Sequence, residues 1–159
     1  MYTYNMLIGE YTHGLDEKNR ISLPMKFRKE IGKKIVVTHG LDNCLFLYPI
    51  KEWQAIASKL GSLPIGQADT RGFNRFMLAG AVEIDVDGVG RILIPDFLRE
   101  FAGFGETKNE TKKESPKVVF AGVYNRIEIW NEKRWLEYKK SILGKADELA
   151  QKLGDVGAI

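Results

Sequence analysis

The stretch LDEKNRISLP at residues 15–24 recurs without gaps as VDGVGRILIP at residues 86–95. Both copies keep an aspartate, an Arg-Ile pair and a closing proline at the same spacing, and the match continues far enough to align Arg28 with Arg99. Self-similarity of this kind indicates that one supersecondary unit is used twice. The chain is therefore expected to contain two versions of one module.

A second pair of matching segments lies farther along the chain. VVTHGLDNCLFLY at residues 36–48 aligns with VVFAGVYNRIEIW at residues 118–130, and Trp53 then aligns with Trp135. The sequence offset between matching residues is larger here than in the first motif. The second copy therefore contains an insertion, which falls in the polar segment GETKNETKKESP at residues 105–116. Such a composition cannot pack into a core, so it predicts a solvated loop.

Local signals divide each copy into two hairpins around a short helix, a β-β-α-β-β unit. Asn19 and Gly90 precede the two motif arginines and are residue types that readily adopt positive φ in a tight turn. Pro24 and Pro95 follow the second strands at positions suited to the first turn of a helix. The predicted elements are strands at residues 6–15, 20–23, 35–38 and 44–48 and a helix at 24–31 in the first copy, and strands at 81–86, 91–94, 117–121 and 126–130 and a helix at 95–102 in the second.

Two such units are each barely large enough to form a core, so we expect them to share one. The predicted fold class is mixed α+β and β-rich, with helices at residues 51–60, 68–78 and 132–153 flanking the repeats. Asn131 is expected to cap the last of these helices, which is amphipathic. The predicted division of the chain is a first unit at residues 9–54, a helical linker at 55–80, a second unit at 81–134 and a C-terminal helix at 135–159.

Composition excludes several classes of function. The longest apolar runs are far shorter than the roughly 18 residues of a membrane span, and no signal peptide is visible, so we expect a cytoplasmic protein without a membrane partner. Cys44, the single cysteine, lies in an apolar run and is expected to be a buried thiol. His13 and His39 are the only histidines. We therefore predict no metal site, no cofactor, no small-molecule substrate and no enzymatic activity.

Several segments together resemble the MraZ family over essentially the whole chain. They are GEY at residues 9–11, the first motif at 15–24, CLFLYP at 44–49 with EW at 52–53, the second motif at 87–95, and IEIW at 127–130. The chain departs from the family at two places. Asn19 stands where the family usually has glycine, which should preserve the turn because asparagine tolerates positive φ. The insertion at residues 105–116 is longer than the family's usual link.

The resemblance implies a pair of SpoVT-AbrB-like domains whose hairpins interleave into one pseudo-symmetric, swapped-hairpin barrel. It also implies a nucleoid-associated transcriptional regulator that forms a ring-like homo-oligomer. Such proteins recognise repeated sites on double-stranded DNA upstream of the cell-division and cell-wall gene cluster, and repression by blocking the promoter is the simplest hypothesis. The alternative is an assembly module or an antitoxin-type interaction module, since AbrB-like barrels also serve in antitoxins.

Basic residues are concentrated in the first copy. Residues 16–34 contain seven basic and three acidic side chains, whereas residues 87–103 contain two basic and three acidic ones. DNA affinity comes mainly from lysine and arginine near phosphates, so we expect the first copy to dominate the DNA-binding face. The resemblance places the family's DNA-binding arginine at Arg20. The predicted DNA-binding residues are Arg20, Lys18, Lys26 and Arg28, with Arg91 and Arg99 as weaker candidates.

These residues also have structural interpretations. Asp16 with Arg20, and Asp87 with Arg91, could form ion pairs that stabilise the turns, and for Arg91 this interpretation is favoured. Arg28 and Arg99 could equally be solvated charges on helix faces. The residues assigned to a structural motif are Asp16, Asn19, Pro24, Asp87, Gly90 and Pro95. The aromatic residues interpreted as core or interface rather than base-stacking are Trp53, Trp135, Phe27, Phe73 and Phe76.

Overall fold

The computed structural model describes residues 6–105 and 116–159. The loop predicted at residues 105–116 therefore lies, apart from its two end residues, outside the described residues. The elements are β1 (Leu7–Gly14), β2 (Arg20–Ser22), α1 (Met25–Ile31), β3 (Lys34–His39), β4 (Leu45–Pro49), α2 (Ile50–Gly61), α3 (Ala68–Asn74), β5 (Val82–Asp85), β6 (Arg91–Leu93), α4 (Asp96–Ala102), β7 (Lys117–Tyr124), β8 (Ile127–Asn131) and α5 (Glu132–Asp155). This order contains the predicted β-β-α-β-β unit twice, in a mixed α+β protein.

Positive φ angles occur at the predicted turns. Asn19 has a φ of 61° and Gly90 a φ of 82°. In the first copy the second hairpin reverses through Asp42 and Asn43, with φ of 62° and 63°. Two adjacent positive values are typical of the tight turn whose twist matches the flanking strands. In the second copy Tyr124 adopts a φ of 82° at the equivalent reversal. The positive φ angles predicted at Asn19 and Gly90 are confirmed.

The short helices begin one residue later than predicted. Pro24 and Pro95 have extended ψ angles of 134° and 152°, so each stands just before the first helical residue rather than within the first turn. Gly103 ends α4 in the left-handed conformation, with a φ of 75°. Asn131 caps α5 as predicted, because its side chain accepts a hydrogen bond of 3.1 Å from the backbone N–H of Arg134.

The helix predicted over residues 68–78 is not a single α-helix. It ends as α3 at Asn74 and continues as a π-helical turn, Arg75–Ala79. Side chains of β3 meet the backbone of this turn. The buried hydroxyl of Thr38 donates to the Met77 carbonyl at 2.7 Å, and Nδ1 of His39 lies 3.0 Å from the Phe76 carbonyl. The wider turn is thus tied to a strand far away in the sequence, which periodicity alone does not reveal.

The two copies exchange their first strands. β1 pairs with β7 of the second copy, and β5 pairs with β3 of the first copy. Antiparallel pairing gives a six-stranded sheet in the order β1-β7-β8-β4-β3-β5, and β2 and β6 form a separate two-stranded sheet, here called the ribbon. Each copy therefore completes the sheet of the other, which agrees with the interleaving that the resemblance implied.

An approximate two-fold axis relates the copies. Ile21 lies opposite Ile92, which is its equivalent in the repeat. Phe46 lies opposite Glu128, again its own equivalent. A residue can face its own equivalent only where a two-fold axis passes between them. The axis therefore runs through the centre of the ribbon and the centre of the six-stranded sheet.

One apolar core lies between the sheet, the ribbon and the short helices α1 and α4. Both copies supply it through buried equivalents, which include Ile21 and Ile92, Leu23 and Ile94, and Phe27 and Leu98. A second cluster on the other face of the sheet contains Phe46, Tyr48 and Trp130, covered by α2, the π turn and α5. Cys44 is fully buried there as expected, and burial raises the pKa of its thiol.

The aromatic residues assigned to the core divide into two groups. Phe27 is fully buried, and Trp53, Phe76 and Trp135 pack against the second cluster. Phe73 differs, because it is 39% exposed on α3.

Candidate nucleic-acid interface

The ribbon carries both motif arginines on one face. Successive residues of a strand point to opposite faces, and the central isoleucine of each ribbon strand is buried in the core. Arg20 and Ser22 of β2 therefore share the outer face with Arg91 and Leu93 of β6. Arg20 lies opposite Leu93 and Arg91 lies opposite Ser22, so the arginines occupy diagonal positions. Pairing of β2 with β6 thus brings together two arginines that are far apart in the sequence.

Each motif arginine is bound by the aspartate four residues before it. Oδ1 of Asp16 accepts the backbone N–H groups of Lys18 and Arg20, both at 2.9 Å, and Oδ2 accepts Nε of Arg20 at 2.7 Å. Asp87 repeats the arrangement in the second turn, where Nε of Arg91 donates at 2.8 Å. These hydrogen bonds, above all the one from the arginine backbone, lower the pKa of both carboxyls, that of Asp87 to about 2. The aspartates therefore shape the turns and orient the arginines.

The ion pairs leave the outer edge of each guanidinium accessible. The side chains of Arg20 and Arg91 are 31% and 33% exposed, and both use Nε to meet the aspartate. Within the part of the chain that the structure describes, their Nη atoms have no hydrogen-bond partner. A guanidinium fixed through Nε loses less conformational entropy when its Nη groups bind a phosphate or a base. One arginine can therefore stabilise its turn and also contact DNA.

Arg28 and Arg99 connect the short helices to the ribbon. Nε of Arg28 donates to the Leu23 carbonyl at 2.7 Å, and Nη1 of Arg99 donates to the equivalent Ile94 carbonyl at 2.6 Å. Arg99 also pairs with Asp96, and its side chain is 15% exposed. Neither arginine is simply a solvated charge on a helix face.

The helix α1 of the first copy begins beside the turn of the second copy. The backbone N–H of Leu23 donates to the Gly90 carbonyl at 2.9 Å. The Arg28 guanidinium packs against the same glycine, where a Cβ atom would lie 2.4 Å from its Cζ. Lys26 and Arg28 thus lie at the end of the ribbon that carries Arg91. The basic helix α1 of the first copy therefore lies next to Arg91, the motif arginine of the second copy.

The other end of the ribbon has the complementary arrangement. Arg20 and the exposed Lys18 belong to the first copy, whereas Leu93, opposite Arg20, leads into α4 of the second copy. Each end of the ribbon is therefore built from residues of both copies. Although the first copy has more basic residues than the second, these residues lie at both ends of the ribbon. Ser22 and Leu93 are not among the residues predicted from the sequence. Because successive side chains of a strand point to opposite faces, the neighbouring apolar Ile21 and Ile92 could have indicated that these two residues lie on the outer face.

The sequence pattern of the family described as "MraZ protein, putative antitoxin-like" matches the chain twice, over residues 6–76 and 77–153. The chain belongs to the MraZ family. A "Transcriptional regulator MraZ" of Syntrophomonas wolfei is 47% identical over 152 residues, which are 96% of this chain and 99% of that protein. A relative of the same description from Caldanaerobacter subterraneus is 49% identical over 148 residues, or 93% of this chain and 96% of that protein.

MraZ membership confirms the resemblance that the repeated motif indicated. The two MraZ matches each contain one copy of the Asp-x-x-x-Arg motif. The family comprises non-enzymatic transcriptional regulators, in agreement with the prediction that the chain is not an enzyme. Within residues 6–105 and 116–159 no cluster of histidine, cysteine and carboxylate side chains is placed to hold a metal ion. No helix of these residues is long and apolar enough to cross a membrane.

Proposed function

We propose that the chain is a DNA-binding transcriptional repressor and that the ribbon is its DNA-binding surface. The observation that carries the proposal is the diagonal pair of Arg20 and Arg91 on one exposed face, each oriented by its own aspartate. A two-stranded antiparallel ribbon fits the major groove of B-form DNA. Arginine is also the side chain that most often binds a guanine edge there.

The other basic residues would position the ribbon on the DNA. Lys18 in the first turn and Lys26 at the start of α1 are both exposed and lie at opposite ends of the ribbon, where they can contact phosphates. Arg28 and Arg99 contribute mainly by attaching α1 and α4 to the ribbon. Arg28 also adds positive charge beside the ribbon, whereas the charge of Arg99 is paired with Asp96.

We further infer that several chains bind DNA together. One ribbon offers few phosphate contacts, so a single chain should bind weakly. A homo-oligomer, which we propose to be a ring, raises the effective concentration of each ribbon near repeated sites. These sites are proposed to lie upstream of the cell-division and cell-wall gene cluster, where the bound oligomer blocks the promoter. The protein would then act in the cytoplasm, at the nucleoid.

We also infer the fold that the two repeats form together. The strand exchange and the two-fold axis support a single pseudo-symmetric, swapped-hairpin barrel made by two SpoVT-AbrB-like domains. Its units would be residues 9–54 and 81–134, joined by the helical linker at 55–80 and followed by the C-terminal helix at 135–159.

Binding of promoter DNA at increasing salt tests the proposed function. In fluorescence anisotropy, affinity for double-stranded DNA from upstream of the gene should fall steeply with salt, because phosphate contacts release counterions. Arg20→Ala should weaken binding by roughly 5- to 150-fold, the value of one bidentate arginine contact of about 1–3 kcal/mol. Lys145→Ala, which removes an exposed charge from α5, is the matched control and should bind like the wild type. Equal affinity of Arg20→Ala and wild type would show that the ribbon is not the DNA-binding surface.

An antitoxin-type interaction module is the second candidate. It is favoured by apolar side chains on the outer part of α5, where Leu143 is 69% exposed and Leu153 is 46% exposed. This candidate requires a protein partner on α5, so Leu143→Glu should abolish binding of that partner. The wild-type chain should then bind DNA weakly, and its DNA affinity should not depend on salt.

A further inference from the structure

Leu93 occupies the position on the ribbon that Ser22 has in the first copy. The two residues are equivalents in the repeat, and each lies opposite one of the motif arginines. Leu93 is 53% exposed although it is apolar, whereas Ser22 is half-buried. The outer face of the ribbon therefore presents two arginines, a hydroxyl group at one end and an isobutyl group at the other.

The exposed apolar character extends beyond Leu93. Val89 and Phe97 are the equivalents of Lys18 and Lys26, and they are 59% and 46% exposed. Val89 lies in the second turn and Phe97 lies on α4. Of these three apolar residues, Leu93 is the one within the paired strands of the ribbon. The other two provide natural comparisons for an apolar side chain outside the strand pairing.

The register places Leu93 within reach of DNA that Arg20 contacts. Side chains directly opposite each other in an antiparallel pair have Cβ atoms about 4.5–5.5 Å apart. An arginine that reaches a base edge in the major groove thus carries its cross-strand neighbour to the same or the next base pair. The apolar group that a base offers in the major groove is the 5-methyl of thymine.

We propose that Leu93 is a specificity-determining residue that contacts the 5-methyl group of a thymine in DNA bound by the ribbon. The inference rests on the proposed DNA-binding function. Ser22 at the other end offers a hydroxyl, which can hydrogen-bond several bases. The two ends of the ribbon therefore recognise different features, and each chain binds its site in one orientation.

Removal of the thymine methyl groups tests this role. The first probe is a duplex enriched by the wild-type protein from a randomised pool, and the second is the same duplex with deoxyuridine in place of every thymidine. Burial of one methyl-sized group contributes about 0.8 kcal/mol, so wild-type affinity should fall about fourfold on the deoxyuridine duplex. Leu93→Ser should bind the thymidine duplex about fourfold more weakly than the wild type and bind both duplexes equally well.

Two further variants serve as controls. Leu93→Met keeps an apolar side chain of similar volume and should retain the preference for the thymidine duplex. Val89→Ser removes an exposed apolar side chain from the second turn and should leave the fourfold preference unchanged. Because Leu93 is exposed, thermal melting of Leu93→Ser should match that of the wild type.

The inference is overturned if replacing thymidine by deoxyuridine lowers the DNA affinity of Leu93→Ser by the same factor as that of the wild type, because the methyl groups then contact a residue other than Leu93. It is also overturned if the wild type binds both duplexes equally, or if enrichment leaves no position restricted to thymine. Failure of the proposed function has a different signature, because Arg20→Ala then binds the thymidine duplex as tightly as the wild type.

Discussion

Replacement of Gly90 by alanine is expected to destabilise the protein through Arg28. Gly90 has a φ of 82°, and a Cβ there would lie 2.4 Å from both Cζ and Nε of Arg28. A residue with a Cβ atom in this left-handed backbone conformation is destabilised by about 1–2 kcal/mol. The guanidinium must also move away from the Leu23 carbonyl, to which Nε donates at 2.7 Å. Loss of a hydrogen bond from a charged group costs about 1.5–3 kcal/mol, so together with the backbone strain we expect the free energy of unfolding to fall by about 2.5–5 kcal/mol.

Urea unfolding of a double-mutant cycle measures the two contributions separately. In the Arg28→Ala background the guanidinium is absent, so Gly90→Ala should cost only the backbone strain of about 1–2 kcal/mol. Asn19→Ala is the matched control in the first copy, because Asn19 has a similar φ of 61° but already carries a Cβ. It should show no coupling to Arg99. The same loss for Gly90→Ala in both backgrounds would refute the reasoning.

Three further predictions concern the carboxyl group of the second turn, a buried hydroxyl hydrogen bond and a helix cap. The folded-state pKa of Asp87 is about 2, below its usual value of 3.8, so its contribution to stability is present above about pH 4 and is lost as the pH falls towards 2. Urea unfolding of Asp87→Asn should therefore depend less on pH in this range, and an unchanged acid dependence would contradict the assignment. Thr38→Val leaves the Met77 carbonyl without its 2.7 Å donor and should lower the free energy of unfolding by about 1–3 kcal/mol, whereas Thr38→Ser should cost much less; equal melting of the two variants would argue against this bond. Asn131→Ala removes the cap of α5 and should cost about 1–2 kcal/mol with faster amide exchange at Arg134, so unaltered exchange would show that the cap is dispensable.

The local elements were predictable from the sequence because they depend on residues close together in the chain. Asn19 and Gly90 tolerate the positive φ of their turns, and Asn131 supplies the acceptor that the first turn of α5 needs. The repeated motif identified the two units and the family. The helix predicted over residues 68–78 is present, but the sequence did not reveal its change to a π turn, whose carbonyl at Met77 is bound by Thr38 of β3.

The sequence by itself determined that one module is used twice, approximately where its strands and helices lie, and that the motif arginines follow an aspartate at turn spacing. Only the tertiary structure decided which strands of the two copies pair and in which register. Strand pairing between distant segments depends on the apolar faces that can be buried together, and local preference does not encode it. Pairing of β2 with β6 placed Arg91 beside the basic helix of the first copy, Arg20 opposite an exposed Leu93, and Arg28 against Gly90. The candidate DNA-binding face is thus a product of both copies.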